Sequence, residues 1–506
     1  MVLQNVYLSL ILIIPIAGAI VLSLFEQLKK FLAKAKINSD ILNHALANLV
    51  AFSVFSLAIV SVFVPGLRSF IDGLSGNFLN FGLLEAVVIT IFSFLVWMVT
   101  LFSINYMKGK NGLGYYYALI FTLLTGLSTI TMADNYITLF VGWELFALSA
   151  YVLVAFERAK RSAVEASLKY FIMSTAGSML ILLATALTYG FYGTVNFEEA
   201  SIQVLAGGSD PLSVVIMVLF ITGFSVTAAM LLLNAWLPDA HSSAPSTISA
   251  LLSGIVVKAG AIGIYRTLYF TFSPEVLSAA GGVVISWLGI LTMFEGNYLV
   301  FSQFKRKDIV DFKRILAYST TVHLGYIILG IGSLAPDNLG VQASLFHILT
   351  HSVGKGGLFL LSGVLIGALG TRDMRNMKGV GRKSPFIGVV LTVGLLSLGG
   401  IPITAGFASK LMVILATFNG GANAANPLML INSILLVVMA IINSLLALGG
   451  YLYILKKMLF DEPEGEDTGK IKVPLFEKIA LIIIVVVLIV LGLWPDLIIT
   501  PIANIL

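Results

Sequence analysis

Apolar residues run along this chain in long unbroken blocks separated by short polar joints. Fourteen blocks can be marked, at about 4–26, 41–65, 81–106, 115–132, 135–157, 165–192, 212–234, 246–272, 277–302, 312–333, 340–369, 385–419, 427–456 and 475–499. Most match the ~20 residues a helix needs to cross a bilayer, and they do not alternate in the ~10-residue pieces of an outer-membrane barrel. The pattern predicts an all-α polytopic membrane protein, because a helix satisfies its own backbone groups in lipid. The first block has no basic residue before it and no small-residue cleavage site after it, so it reads as a retained helix. The twelfth is long for one straight crossing and holds Pro402, which predicts a break.

The joints are sorted by charge. Those after odd-numbered blocks carry 24 of the 30 Lys and Arg, from Lys29 and Lys30 through Lys305–Arg306–Lys307 to Lys470, Lys472 and Lys478; those after even-numbered blocks carry only Arg68 and the helix-end Arg266. A missed or invented span would scramble this asymmetry. The positive-inside rule then predicts a multi-pass protein of the cell membrane with both termini on the outer side. The net charge of +5 follows from this topology and gives no reason to invoke nucleic acid. The stretch 461–472 reads as a solvated cytoplasmic loop.

Composition narrows the chemistry. Hydrophobic residues are 58% of the 506 and charged residues 11%, against ~25% charged in a soluble domain. Both a soluble globular fold and disorder are excluded. There is no cysteine, which removes disulfides, thiolate metal sites and iron–sulfur ligation. Redox centres, iron–sulfur clusters included, are expected only in partner subunits, and no cofactor or metal is expected in this chain. No nucleotide loop or nucleophile elbow is present, so an enzyme acting alone is the poorest reading.

Ionisable groups inside the blocks are the functional candidates, because charge at membrane depth is costly. Glu144 is near the middle of span 5, where a carboxylate can load and release a proton. Lys258 is mid-span among small residues that let helices approach closely. His347, His351 and Lys355 recur at every fourth residue of span 11, covering ~12 Å of one helix face, a column suited to proton hopping. Two histidines at that spacing can also bind metal, but no third ligand stands out. Lys410 follows the Pro402 break, where a discontinuous helix leaves backbone groups free for an ion site. Weaker candidates are His323, which can extend the relay, and Lys169, which can snorkel to the interface. Glu295 either pairs with the Lys305 cluster or lies on the path. Asp239 and His241, in the turn between spans 7 and 8, form a proton entry or cap the next helix. Glu85, near the outer end of span 3, has a structural reading.

These segments resemble the antiporter-like membrane subunits shared by respiratory complex I, Mrp-type cation/proton antiporters and membrane-bound hydrogenase or sulfur-reductase complexes. The stretches that carry the likeness are GWELFALSAYVLVAF, ASLKYFIMSTAGS, WLPDAHSSAPS, LLSGIVVKAGAIGIYR, FKRILAYSTTVHLGYI, LFHILTHSVGKGGLFLLSG, TRDMRNMKGVG and GIPITAGFASKLM. They run from about residue 135 to 412 in the family's order. The resemblance implies about fourteen transmembrane helices with two inverted five-helix repeats. On that basis 1–112 holds spans 1–3, 113–274 the first repeat, 275–458 the second, and 459–506 the loop and span 14. It also implies an ion-translocating subunit of a larger complex, moving protons or sodium ions among other membrane subunits. Glu144, Lys258, His347, His351, Lys355 and Lys410 fall on the family's path positions.

One departure stands out. Thr227 occupies the position where the family carries a lysine that partners the span 5 glutamate, and Leu232 replaces the proline that breaks span 7. The first repeat is therefore expected to lack both its lysine and its break, while the second is intact by motif. Two other readings compete: a largely structural, partly degenerate subunit, and a stand-alone cation/proton antiporter.

Overall fold

The computed structural model describes all residues except 1–8, 35–37, 76–77, 208–209, 273–278, 425, 463–470 and 504–506. Most of the predicted loop at 461–472, Lys36, Lys470 and the expected repeat boundary at 274/275 lie outside the described residues. Every one of the fourteen apolar blocks contains helix, and among the described residues only isolated bridges replace strands. The principal helices are α1 (Leu10–Gln27), α2 (Ser39–Phe63), α3 (Leu83–Tyr106), α4 (Leu113–Met132), α5 (Tyr136–Val154), α6 (Arg161–Tyr192), α7 (Pro211–Thr227), α8 (Leu237–Ser243), α9 (Ser246–Thr271), α10 (Ala279–Phe304), α11 (Phe312–Gly332), α12 (Leu339–Leu369), α13 (Pro385–Gly399), α14 (Ala405–Ala422), α15 (Pro427–Leu455) and α16 (Leu475–Leu493). Among the described residues twelve helices are long and apolar enough to cross a membrane, or thirteen if Met374–Lys383 and Pro385–Gly399, bent by 116°, count as one span.

The chain forms two compact units. The first contains Met1–Thr227 and Ile262–Val276; the second contains Ala228–Ala261 and Leu277–Asn504. The dividing line runs through α9, so Lys258 belongs to the second unit and Arg266 to the first.

In the first unit, helices cross where glycines face each other. A Cβ on Gly126 of α4 would lie 2.7 Å from the Gly142 carbonyl of α5, and one on Gly223 of α7 would lie 2.8 Å from the Gly177 carbonyl of α6. Lipid supplies no hydrophobic drive between helices, so such close backbone approach is what holds them. The joints after spans 2, 4 and 6 meet through the bridges Leu79 to Ala133 and Asn135 to Asn196. Beside them Arg266, 3% exposed, donates to Glu85 at 2.7 Å and to the carbonyls of Thr131 and Ala133. The structural reading of Glu85 thus takes the form of a buried ion pair in which the guanidinium also satisfies free carbonyls.

In the second unit, α10 and α11 meet along another glycine seam. A Cβ on Gly325 would lie 2.5 Å from the Gly289 carbonyl and from Met293 Cγ. This fixes the height of α11 against its neighbours. The joints after spans 7, 9 and 11 gather at one end: Arg314 bonds Asp239, Ser242 bonds Asp311, Arg372 bonds the Ser242 carbonyl, and Asp311 bridges to Asp373. Joints two spans apart must share a side when helices alternate in direction, and these do.

Span 12 breaks as predicted. Helix α13 stops at Gly399, Gly400 takes the left-handed conformation (φ 77°), and α14 starts five residues later at Ala405. Span 7 corrects the expectation. It breaks without a proline: α7 ends at Thr227, and residues 228–236 run non-helically to α8. Ala229 (φ 47°) and Leu232 (φ 64°) both adopt left-handed backbone, as do Gly400 and Ile403 (φ 78°) at the other break, with the same three-residue spacing. Proline is one way to end a helix; outside acceptors for the freed amides are another. Here Leu231 N–H donates to Thr292 at 3.2 Å and Leu232 N–H to Glu295 at 3.1 Å, both on α10. A proline at 232 would remove that second donor.

The glycine seam gives a direct test. Gly325→Ala should force α10 and α11 apart and destabilise the protein by ~1–3 kcal/mol, measured as a lower unfolding temperature in mild detergent. Gly190→Ala, where a Cβ meets nothing within 4 Å, should change it little.

Candidate functional site

The predicted path residues divide between the two units. Glu144 stands alone of its group in the first. It is half-buried near the middle of α5, and its Oε1 is buried with no hydrogen-bond partner among the described residues. Trp143 Nε1 and Ser178 Oγ are buried without partners as well. Thr227, at the end of α7, is 3.5 Å from Ser174 of α6 through their hydroxyls. Lys169 is exposed on α6.

The other five are brought together in the second unit, all of them buried. A π-helical stretch, Leu252–Val256, precedes Lys258 in α9. Such a stretch leaves backbone carbonyls out of the regular ladder. Lys258 Nζ takes one of them, on Ser253, and lies 2.6 Å from His351 Nδ1. Ser253 also meets Thr320 of α11 at 2.7 Å. Lys355 reaches from α12 to α11, donating to the Leu316 carbonyl at 2.8 Å and to Ser319.

His323 is a full member of the cluster. Its Nδ1 is 3.1 Å from His347 Nε2, and its Nε2 is 3.1 Å from the hydroxyl of Tyr451 on α15. His347 Nδ1 is 3.0 Å from Ser409 of α14. The column expected along one face of α12 is arranged differently. The rings of His347 and His351 are 6.4 Å apart, with no hydrogen bond between them, whereas His323 is stacked 5.2 Å from one and tilted 4.6 Å from the other. Side chains four apart on a helix are neighbours, but imidazoles pointing outward from it find their partners on the helices opposite.

Lys410 uses the break directly. Its Nζ donates to the Gly399 carbonyl at 3.3 Å and to Ser444 of α15 at 3.2 Å, and stands 5.1 Å from the centre of the Tyr326 ring. The last carbonyls of a helix have no partner of their own, so the break that frees Gly399 supplies the lysine with an acceptor.

Among the described residues, none of Lys258, Lys355 and Lys410 has a carboxylate partner; they are held by carbonyls, hydroxyls and an imidazole. Arg266 shows the opposite arrangement, a cation paired with its carboxylate. A guanidinium cannot give up its proton and needs a counter-charge, whereas an amine can work in both states.

The weaker candidates take other places. Glu295 pairs with no residue of the Lys305 cluster; it accepts from Leu232 N–H and, at 2.8 Å, from Asn234, and so caps the span 7 break. Asp239 forms a salt bridge with Arg314. His241 is buried and stacked 4.6 Å from Phe359, with neither ring nitrogen bonded among the described residues. No group of three or more His, Asp or Glu among the described residues could hold a metal ion. Sequence reasoning missed Tyr451, Ser319, Ser409 and Ser444, because a hydroxyl in an apolar run carries no charge to mark it.

Residues 133–442 match the transmembrane family of the NADH:quinone oxidoreductases and Mrp antiporters. The chain belongs to that family and is an antiporter-like membrane subunit. It is 28% identical to the F420H2 dehydrogenase subunit N of Methanosarcina mazei over 79% of this chain and 78% of the other. It is 27% identical to the NADH-quinone oxidoreductase subunit N of Francisella tularensis over 91% and 92%. Among solved structures, a chain of the archaeal membrane-bound sulfane sulfur reductase superposes with a TM-score of 0.81 at 26% identity, covering 98% of this chain and 96% of that one. A chain of the Mrp complex from Dietzia sp. shares the fold at a TM-score of 0.78, 22% identity and 97% coverage of both.

The Glu295 cap can be tested apart from any transport. Glu295→Ala leaves the Leu232 and Asn234 donors without their acceptor and should cost ~1–3 kcal/mol, again as a lower unfolding temperature. Glu295→Gln keeps an acceptor oxygen and should lose clearly less.

Proposed function

We propose that this chain is the ion-translocating subunit of a multi-subunit membrane complex, and that protons move through the buried lysines and histidines of its second unit. The observation that carries this reading is that, among the described residues, Lys258, Lys355 and Lys410 are bonded to carbonyls, hydroxyls and an imidazole and to no carboxylate. Charges kept inside a membrane for architecture alone are expected to be paired, as Arg266 is. Amines held by neutral donors and acceptors, beside three imidazoles, are suited to taking up and passing on protons.

In this reading Lys258 and His351 form one station, Lys355 with Ser319 a second, His323 with His347 and Ser409 a third, and Lys410 at the broken span the terminal one. The first unit is altered. Thr227 provides no ammonium for Glu144, and that substitution favours the partly degenerate reading for this unit alone. The likeness to N subunits, to the sulfur reductase and to Mrp supports partner membrane subunits. The lack of any cysteine supports leaving redox centres to those partners. The matching pairs of left-handed residues at the two breaks support a relation between spans 4–8 and 9–13 as inverted repeats. The concentration of lysine and arginine in the odd-numbered joints supports a cytoplasmic side there, with both termini outside.

Proton flux into sealed vesicles bearing the native complex, followed with a pH-sensitive dye, is the test. Lys410→Ala should lower coupled flux by at least about tenfold, the effect of losing a group that carries a transferred proton, while the complex still assembles. Unchanged flux would show the reading to be wrong.

A further inference from the structure

A buried ammonium with no counter-ion must still be held, and at Lys410 one of the holders is an aromatic ring. Its hydrogen bonds to the Gly399 carbonyl (3.3 Å) and to Ser444 (3.2 Å) are longer than the usual ~2.9 Å. The lysine stem is packed in place, since a Cβ on Gly400 would lie 3.0 Å from Lys410 Cδ. The Nζ stands over the ring of Tyr326, 5.1 Å from its centre. A cation within ~6 Å of a ring centre is attracted by the negative face, most strongly where water is excluded. Both residues are buried. Among the described residues neither Lys258 nor Lys355 stands over a ring in this way.

The ring is fixed from its far end. Tyr326 donates its hydroxyl to the Ala440 carbonyl of α15 at 2.9 Å, one turn before the Ser444 that accepts from the ammonium. The oxygen is thus engaged elsewhere, and the face is what meets Lys410. The same ring lies 5.5 Å from the ring of His347 and 6.3 Å from that of His323, which in turn meets Tyr451. On α12 the next titratable groups are His351 and Lys355, one and two turns further along. Of the other helices packed against α14, α13 carries no titratable side chain and α16 only Glu477 and Lys478, in its first turn. That turn is roughly 20 Å along the helix from Gly492, where α16 packs on Ile403 and Thr404. The neighbours of Lys410 therefore include imidazoles, which repel it when charged, and among the described residues no carboxylate.

Resting on the function proposed above, we infer that Tyr326 is a positioning residue for the terminal station, its ring face holding Lys410 in the charged form. The face does the work of a counter-ion without being one. It favours the ammonium over the neutral amine, because the attraction is between a positive charge and the ring quadrupole. It offers no atom to which the proton can move, so the proton stays on Lys410 until an acceptor on the path takes it. A carboxylate in the same place would bind the charge more strongly and would itself be a proton carrier. The ring lets the last lysine stay loaded at pH values where a carbonyl and a hydroxyl alone would not keep it so.

The test uses the native complex in sealed vesicles with the dye readout, repeated across a range of pH. Tyr326→Phe keeps the face and loses only the bond to Ala440, so the alkaline limb of the flux profile should stay in place. Tyr326→Leu removes the face. The charged form is then held less firmly, the proton is lost at lower pH, and the limb should move to the acid side by about one pH unit. Replacing Tyr326 by phenylalanine with one, two or three ring fluorines keeps the packing while draining the face of negative charge, and should move the limb progressively in that order. If Tyr326→Leu fails to assemble, the fluorine series carries the test alone. A purely structural role would lower flux at every pH and leave the limb where it was. If the limb stays fixed through these variants while Lys410→Ala abolishes flux, the role of Tyr326 is overturned and the wider reading survives. If Lys410→Ala leaves flux unchanged, the wider reading falls, and this inference with it.

Discussion

A polar group inside a bilayer must find its partner within the protein, and the arrangement of this chain follows from how that requirement is met. Most of the backbone meets it by being helical. At the breaks in spans 7 and 12 it is not, and there the freed groups are taken up by side chains. The Gly399 carbonyl left by the span 12 break accepts from Lys410, and the Leu231 and Leu232 amides left by the span 7 break donate to Thr292 and Glu295. One break thereby binds a group that can change its protonation state. The other is tied down by a carboxylate. The chemistry of the two breaks differs although their backbone conformations correspond.

The same requirement separates structural from working charge. Arg266 sits against Glu85 and two carbonyls, a closed set in which nothing is left to exchange. Lys258, Lys355 and Lys410 sit among hydroxyls, carbonyls and imidazole, where a proton can be held or released at each step without stranding a counter-ion. Their neighbours come from α9, α11, α12, α13 and α15, so the proposed path is a property of several helices meeting and not of any one of them.

Much of this was legible in the sequence. Fourteen apolar blocks became helix because the membrane admits few alternatives, and Pro402 marked a true break because its ring cannot continue the helix. The titratable residues stood out because charge is rare in such blocks. What the sequence concealed depends on contacts between distant helices. The span 7 break has no proline to announce it and relies on Glu295, far along the chain. The fourfold spacing of His347, His351 and Lys355 suggested a column, but the ring between the two histidines is His323 from α11, which itself meets Tyr451 of α15. Thr227 was readable in the sequence as standing where the family's lysine would be, and Glu144 Oε1 has no hydrogen-bond partner among the described residues.

The central claim is that protons cross through the second unit and not through the altered first one. It is tested most directly by neutralising one buried group in each, Lys258→Met and Glu144→Gln, and comparing proton flux through the intact complex in sealed vesicles. The account predicts that the lysine variant loses nearly all coupled flux while the glutamate variant keeps most of it. A collapse of flux with Glu144→Gln and its survival with Lys258→Met would contradict the account.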